Sequence, residues 1–268
     1  MNSMVLYIII ASLLTWGSNA LGAATIFLFK GINQKVMDAM LGFAAGVMIS
    51  ASIFSLILPS MEFAEEFNKG IHPIIIVVIG FILGAAFIWL LDVITPHIHL
   101  FEEESEGPKT SLKRSWLLFL AVTIHNIPEG LAVGIALGAV NIAETAQQAE
   151  LLLASAIALT IGIAIQNFPE GASVTLPLHR DGLSKKRAFF WGQASTIVEP
   201  IGIVAGVLLI QFVQPILPVA LAFAAGAMFY VVIEELIPES QKHKNTNLAT
   251  IFTLMGFLIM MILDVTLG

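Results

Sequence analysis

His125-Asn126-Ile127-Pro128-Glu129-Gly130 recurs, 41 residues later, as Gln166-Asn167-Phe168-Pro169-Glu170-Gly171. Each copy sets a Glu three residues after an Asn and four after a His or Gln, among apolar neighbours. A helix turns once in about 3.6 residues, so these positions stack on one face. The Pro inside each copy removes a backbone N–H and frees the carbonyl four residues earlier, Ile124 and Ile165. Two such kinked helices facing each other would form a cation site rich in oxygen and assisted by nitrogen.

The rest of the chain says where such helices would sit. Of its 268 residues, 57% are hydrophobic and 12% charged. Soluble domains carry about 25% charged residues, so these charges are too few to cover a water-facing surface. Composition therefore specifies an all-α integral membrane protein, read as a single domain over residues 1–268. Hydropathy places eight spans at 4–29, 37–59, 73–95, 115–138, 151–176, 188–211, 216–238 and 247–267. Met1 to Met4 lack the basic start of a secretory signal, and the apolar run after them reads as the first span.

Charge orients the spans. The loops after spans one, three, five and seven hold Lys30 and Lys35; Lys109, Lys113 and Arg114; Arg180, Lys185, Lys186 and Arg187; Lys242 and Lys244. The opposite side holds only Lys69. By the positive-inside rule both termini lie outside, in a plasma or bacterial inner membrane, and an even number of spans allows it. These dispersed cations give no nucleic-acid footprint. The net charge of −7 comes mostly from loop acids. With no cysteine, a bound metal would draw on His, carboxylate, amide, Met or water.

A second repetition accompanies the first. Phe43-Ala44-Ala45-Gly46-Val47-Met48 in the second span returns as Phe223-Ala224-Ala225-Gly226-Ala227-Met228 in the seventh, each followed by a Pro near the span's end, Pro59 and Pro238. Spans two and seven run in opposite senses, as do four and five. Related segments of opposed direction imply an inverted repeat, with a binding site near the membrane midplane.

Ionisable groups in hydrocarbon are costly and face the protein interior. The deepest are His125, Glu129, Glu170 and Glu199, accompanied by Asn126, Gln166 and Asn167. Glu199 precedes Pro200, which should free the carbonyl of Thr196. Three carboxylates with no Lys or Arg in any span either take up protons or bind cations. Mixed imidazole and carboxylate ligation suits Zn²⁺, and also Fe²⁺, Mn²⁺, Co²⁺ or Cd²⁺, better than Ca²⁺ or Mg²⁺. The longest loop, about 97–114, carries His97-Ile98-His99 and the acidic run Glu102-Glu103-Glu104. His97 and His99, beside Asp92, could dock a metal weakly; the Glu run reads as a solvated linker.

With these motifs in view, the chain resembles the ZIP (Zrt/Irt-like) family of divalent-metal transporters, and its Gln-Asn-x-Pro-Glu-Gly motif resembles the prokaryotic GufA-type branch. The resemblance covers essentially the whole chain. It implies uptake of Zn²⁺ or a related ion toward the cytoplasm, no prosthetic group and a homodimer in the lipid bilayer. It implies a first metal site of His125, Glu129, Gln166 and Glu170. A second would use Asn126, Asn167 and Glu199, bridged by Glu129 and Glu170. Some relatives carry Asp in place of Asn167, so the second site here should hold its ion less firmly. The same resemblance puts Glu62 and Asp264 at the outer mouth, and Asp92, His97, His99, Glu235 and Glu239 along the inner exit.

Two other readings stand beside transport. An intramembrane zinc hydrolase would need three fixed ligands, an open position and a Glu base, but the chain has no His-Glu-x-x-His. A proton-coupled cation exchanger fits the three glutamates but leaves His125 and the paired amides without a task. No nucleotide-binding motif is present, which argues against direct use of ATP.

Overall fold

The computed structural model describes residues 2–28, 33–67, 70–98 and 107–267. Among them, eight helices are long and apolar enough to cross a membrane. They are α1 Ser3–Leu28, α2 Gln34–Phe67, α3 Pro73–Ile94, α4 Arg114–Ile142, α5 Ala146–Arg180, α6 Lys185–Phe212, α7 Gln214–Gln241 and α8 Thr246–Leu267. Their number and order agree with the hydropathy reading. Their ends do not everywhere, because amphipathic turns carry helices beyond the apolar runs.

Pro59, expected near a helix end, lies inside α2, whereas Pro238 sits in the last turn of α7 as expected. α2 widens into a π-helical stretch at Ser52–Ile57 and continues past Pro59, and α7 does the same at Val232–Leu236 before Pro238. Proline lacks the N–H that an α-helical ladder needs, and a wide turn just before it redistributes the backbone bonds. α4 and α5 run unbroken through Pro128 and Pro169. α6 is interrupted by a turn at 195–197, which corrects one expectation. The carbonyl of Thr196 is not free, since it accepts the Glu199 N–H at 3.0 Å.

The helices pack in four pairs: α1 on α5, α6 on α4, α2 on α8 and α7 on α3. Exchanging α1 with α6, α2 with α7, α3 with α8 and α4 with α5 maps each pair onto another. The correspondence reaches single residues. A Cβ on Gly46 of α2 would strike the backbone of Thr253 in α8, and one on Gly256 of α8 would strike that of Phe43 in α2. In the mirrored pair, Gly226 of α7 meets Phe81 of α3, and Gly84 of α3 meets Phe223 of α7. Small residues let membrane helices interlock this closely. α2, α4 and α7 form the buried centre, whereas α1, α3 and α8 present most of their apolar side chains, such as Ile75, Val78, Ile82, Leu254 and Leu258, outward.

Candidate metal centre

α4 and α5 carry their Pro-Glu-Gly motifs into the bundle centre, and α6 adds the first turn of its second half. His125, Asn126, Glu129, Gln166, Asn167, Glu170 and Glu199 are all buried. Gly130 and Gly171 make this depth attainable. A Cβ on Gly130 would overlap the backbone of Glu199, and one on Gly171 that of Asn19. Glu129, Glu170 and Glu199 lie within electrostatic reach of one another, with Gln166 beside Glu129. One oxygen of Glu170 has no hydrogen-bonding partner, and the oxygens of Glu129 have only the neighbouring Gln166 amide to turn to. Buried polar atoms are rarely left so, and a cluster of unpaired oxygens is the donor set a cation would satisfy.

The two asparagines do different work from the glutamates. Asn126 donates from Nδ2 to the Ser195 carbonyl at 3.4 Å, and Asn167 from Nδ2 to the Thr15 carbonyl at 3.2 Å. Asn167 also donates to both oxygens of Glu199, at 2.8 and 2.9 Å. All three of its neighbours are acceptors, so only the NH₂ can face them. The amide therefore engages both carboxylate oxygens of Glu199. The Oδ1 atoms of both asparagines have no partner.

His125 reaches Glu170 of this cluster electrostatically and also meets a second set of acids. Its Nδ1 is paired with Glu235, and its Nε2 lies 3.7 Å from Asp92 Oδ1. Asp92, His125 and Glu234 can each place one ligand atom within 4.8 Å of the others. His97 Nε2 approaches the same aspartate at 3.9 Å, while its Nδ1 engages the Thr95 carbonyl at 2.9 Å. A cavity of about 360 Å³ opens beside them, lined by Asp92, Glu234, Tyr230 and Trp89. The structure thus brings Asp92, His97 and Glu235 to His125, with Glu239 buried further along α7. His99 lies outside the described residues. Glu234, on the widened turn of α7, was not read from the sequence. Its one signal is adjacency to Glu235.

At the opposite end of the bundle, Asp264 accepts from Ser55 Oγ at 2.5 Å. With Glu62 it borders a cavity of about 310 Å³. The inverted repeat relates the two ends: Asp264 corresponds to Asp92, and Ser55 to Glu235. Between Asp264 and Gln166, the inward face of α5 carries Leu159 and Ile163, both fully buried.

Eight membrane-length helices around a carboxylate-rich core, with an acid-lined cavity at each end, define a membrane protein built to pass cations. Comparison with known proteins is specific. Residues 99–264 match the family model described as ZIP zinc transporter. The chain is 37% identical to zinc transporter ZIP11 of Homo sapiens, with 100% of this chain and 99% of that one aligned. It is 34% identical to zinc transporter GufA of Myxococcus xanthus (97% and 98% aligned) and 36% identical to zinc transporter ZIPB of Bordetella bronchiseptica (98% and 82% aligned). The chain belongs to the ZIP family of zinc transporters, in its prokaryotic GufA-type branch.

Proposed function

We propose that this chain carries zinc across a cell membrane toward the cytoplasm, by ligand exchange at a midplane site of Glu129, Glu170 and Gln166. The observation that carries the reading is the unpaired oxygen cluster. Three glutamates are buried together in α4, α5 and α6, and the interiors of these helices hold no Lys or Arg to neutralise them. A divalent cation supplies that charge, and zinc accepts a mixed set of carboxylate, amide and imidazole donors. Cd²⁺, Fe²⁺, Mn²⁺ and Co²⁺ would compete for the same atoms. Membership in a family of transporters weighs against the hydrolase reading.

The concentration of basic residues beside Asp92 makes that end cytoplasmic and puts both termini outside. Metal enters past Glu62 and Asp264, crosses the apolar stretch of Leu159 and Ile163 when the helices shift, and rests on the three glutamates. It leaves through His125, Asp92, Glu234 and Glu235, with His97, His99 and Glu239 further along. His125 thus serves both as a ligand and as the first step of release. Glu199, held by Asn167, positions the core and binds a second ion weakly with Asn126 and Asn167. The family resemblance supports a homodimer in the bilayer.

Uptake into proteoliposomes tests the reading. The wild-type chain should move Zn²⁺ down its gradient, and Glu129→Ala or Glu170→Ala should abolish that movement. A purified wild-type chain that moves no Zn²⁺, Cd²⁺, Fe²⁺ or Mn²⁺ defeats it, and normal transport by both variants would place the site elsewhere.

A further inference from the structure

α1 contributes to the core in a way that its sequence conceals. The inverted repeat relates Thr15 to Ser195 and Asn19 to Glu199, at the same sequence offset of 180 that relates Gly46 to Gly226. The contacts obey this relation. Asn126 of α4 donates to the carbonyl of Ser195 in α6, and Asn167 of α5 donates to that of Thr15 in α1. Gly130 of α4 seats the backbone of Glu199, and Gly171 of α5 seats the backbone of Asn19. Asn19 therefore occupies, on α1, the place that Glu199 occupies on α6.

Asn19 is fully buried, and neither Nδ2 nor Oδ1 has a hydrogen-bonding partner. A side chain that only filled space there would be apolar, because an unpaired amide in hydrocarbon is costly. Thr15 and Asn19 stack one turn apart on the side of α1 that packs on α5. Glu199 has Asn167 bonded to both its oxygens, while its counterpart is left open.

We propose that Asn19 is a metal-facing donor, a neutral oxygen ligand from α1 that receives a divalent cation as it passes the glutamate cluster. This rests on the transport site proposed above and adds a fourth helix to it. Being neutral, Asn19 binds more weakly than Glu199 would in its place, so the ion does not lodge on the α1 side.

The chain has no cysteine, so Asn19→Cys introduces a single thiol. Titrating the full-length, detergent-purified variant with Cd²⁺ should produce the ultraviolet thiolate-to-cadmium charge-transfer band, and Zn²⁺ should suppress it. Ser18→Cys, at a groove on the outer face of α1 with Leu14 and Leu21, should give no band. If Asn19→Cys binds Cd²⁺ without the band, the assignment of Asn19 fails while the transport site stands. If neither the variants nor the unmodified chain binds Cd²⁺, the transport site itself fails. Should the thiol variant not fold, Asn19→Asp serves in its place. It should tighten Cd²⁺ binding by about tenfold or more, since ligand charge tunes cation affinity, and unchanged affinity overturns the proposal.

Discussion

Asn167 shows how one atom sets what a site can hold. Its NH₂ meets three acceptors, two of them the oxygens of Glu199. With Asp in its place, two carboxylates would face each other without a bridging proton donor, and a cation would be needed to reconcile them. Asn167→Asp should accordingly add a second bound zinc per chain, counted by equilibrium dialysis of purified protein. An unchanged count would show that Glu199 is not open to a metal.

His125 raises the same question of role. Its ring is paired with Glu235 and lies near Asp92, so in the proposed cycle it takes part in release as well as in binding. Asp92→Asn should lower the maximal rate of uptake severalfold while leaving zinc affinity of the glutamate cluster nearly unchanged. A loss of affinity equal to the loss of rate would make Asp92 part of the binding site itself.

At the scale of helices, the pairs are held by close backbone contact. α2 with α8 and α7 with α3 interlock through glycines whose missing Cβ atoms let backbones touch. Gly226→Val should destabilise the folded protein by about 1–3 kcal/mol or more, as overpacking does, and Gly46→Val should do the same because it occupies the equivalent contact. Thermal unfolding in detergent reads both. A loss confined to one of the two would mean that the halves are not mechanically equivalent. The π-helical stretches of α2 and α7 differ in use: one presents Ser55 to Asp264, the other presents Glu234 and Glu235 to Asp92 and His125. The repeat built two similar frames, and the residues on them made one end more acidic and able to accept a metal.

At the scale of the whole molecule, zinc should stabilise the fold. At a hundredfold excess over its dissociation constant the gain is about 2.7 kcal/mol, visible as a raised unfolding temperature that Glu129→Ala and Glu170→Ala should abolish. A rise that persists in both variants would point to zinc bound at another place. Orientation is open to a cleaner test, since a cysteine-free chain has no background. Single cysteines at Ser3 and at Thr266 should react with an impermeant thiol reagent added to intact cells, and one at Lys186 should not. The opposite pattern would reverse the direction proposed for uptake.

Much of this was legible in the residue order. Few charges and long apolar runs determined a bundle of eight spans, because an apolar run of membrane length satisfies its own backbone polar groups in hydrocarbon by forming a helix. The Pro-Glu-Gly pair announced the carboxylate core, since polar residues repeated at helical spacing inside such spans have few other uses. The repeat of α2 in α7 was visible as matched residues. Its extension to Asn19 and Glu199, or to Asp92 and Asp264, was not, because those pairs share position without sharing the surrounding sequence.

Only the tertiary structure decided how the donors divide. Spacing put His125 and Glu129 on one helix face, but it does not say which way a ring turns when Asp92 and Glu235 arrive from α3 and α7. It counted Asn167 among the ligands of a second ion, but it could not say that packing against α1 and α6 surrounds its NH₂ with the Thr15 carbonyl and both oxygens of Glu199. Local sequence sets which polar groups must be buried, while the helices that meet around them set which of those groups are satisfied and which remain open to a metal.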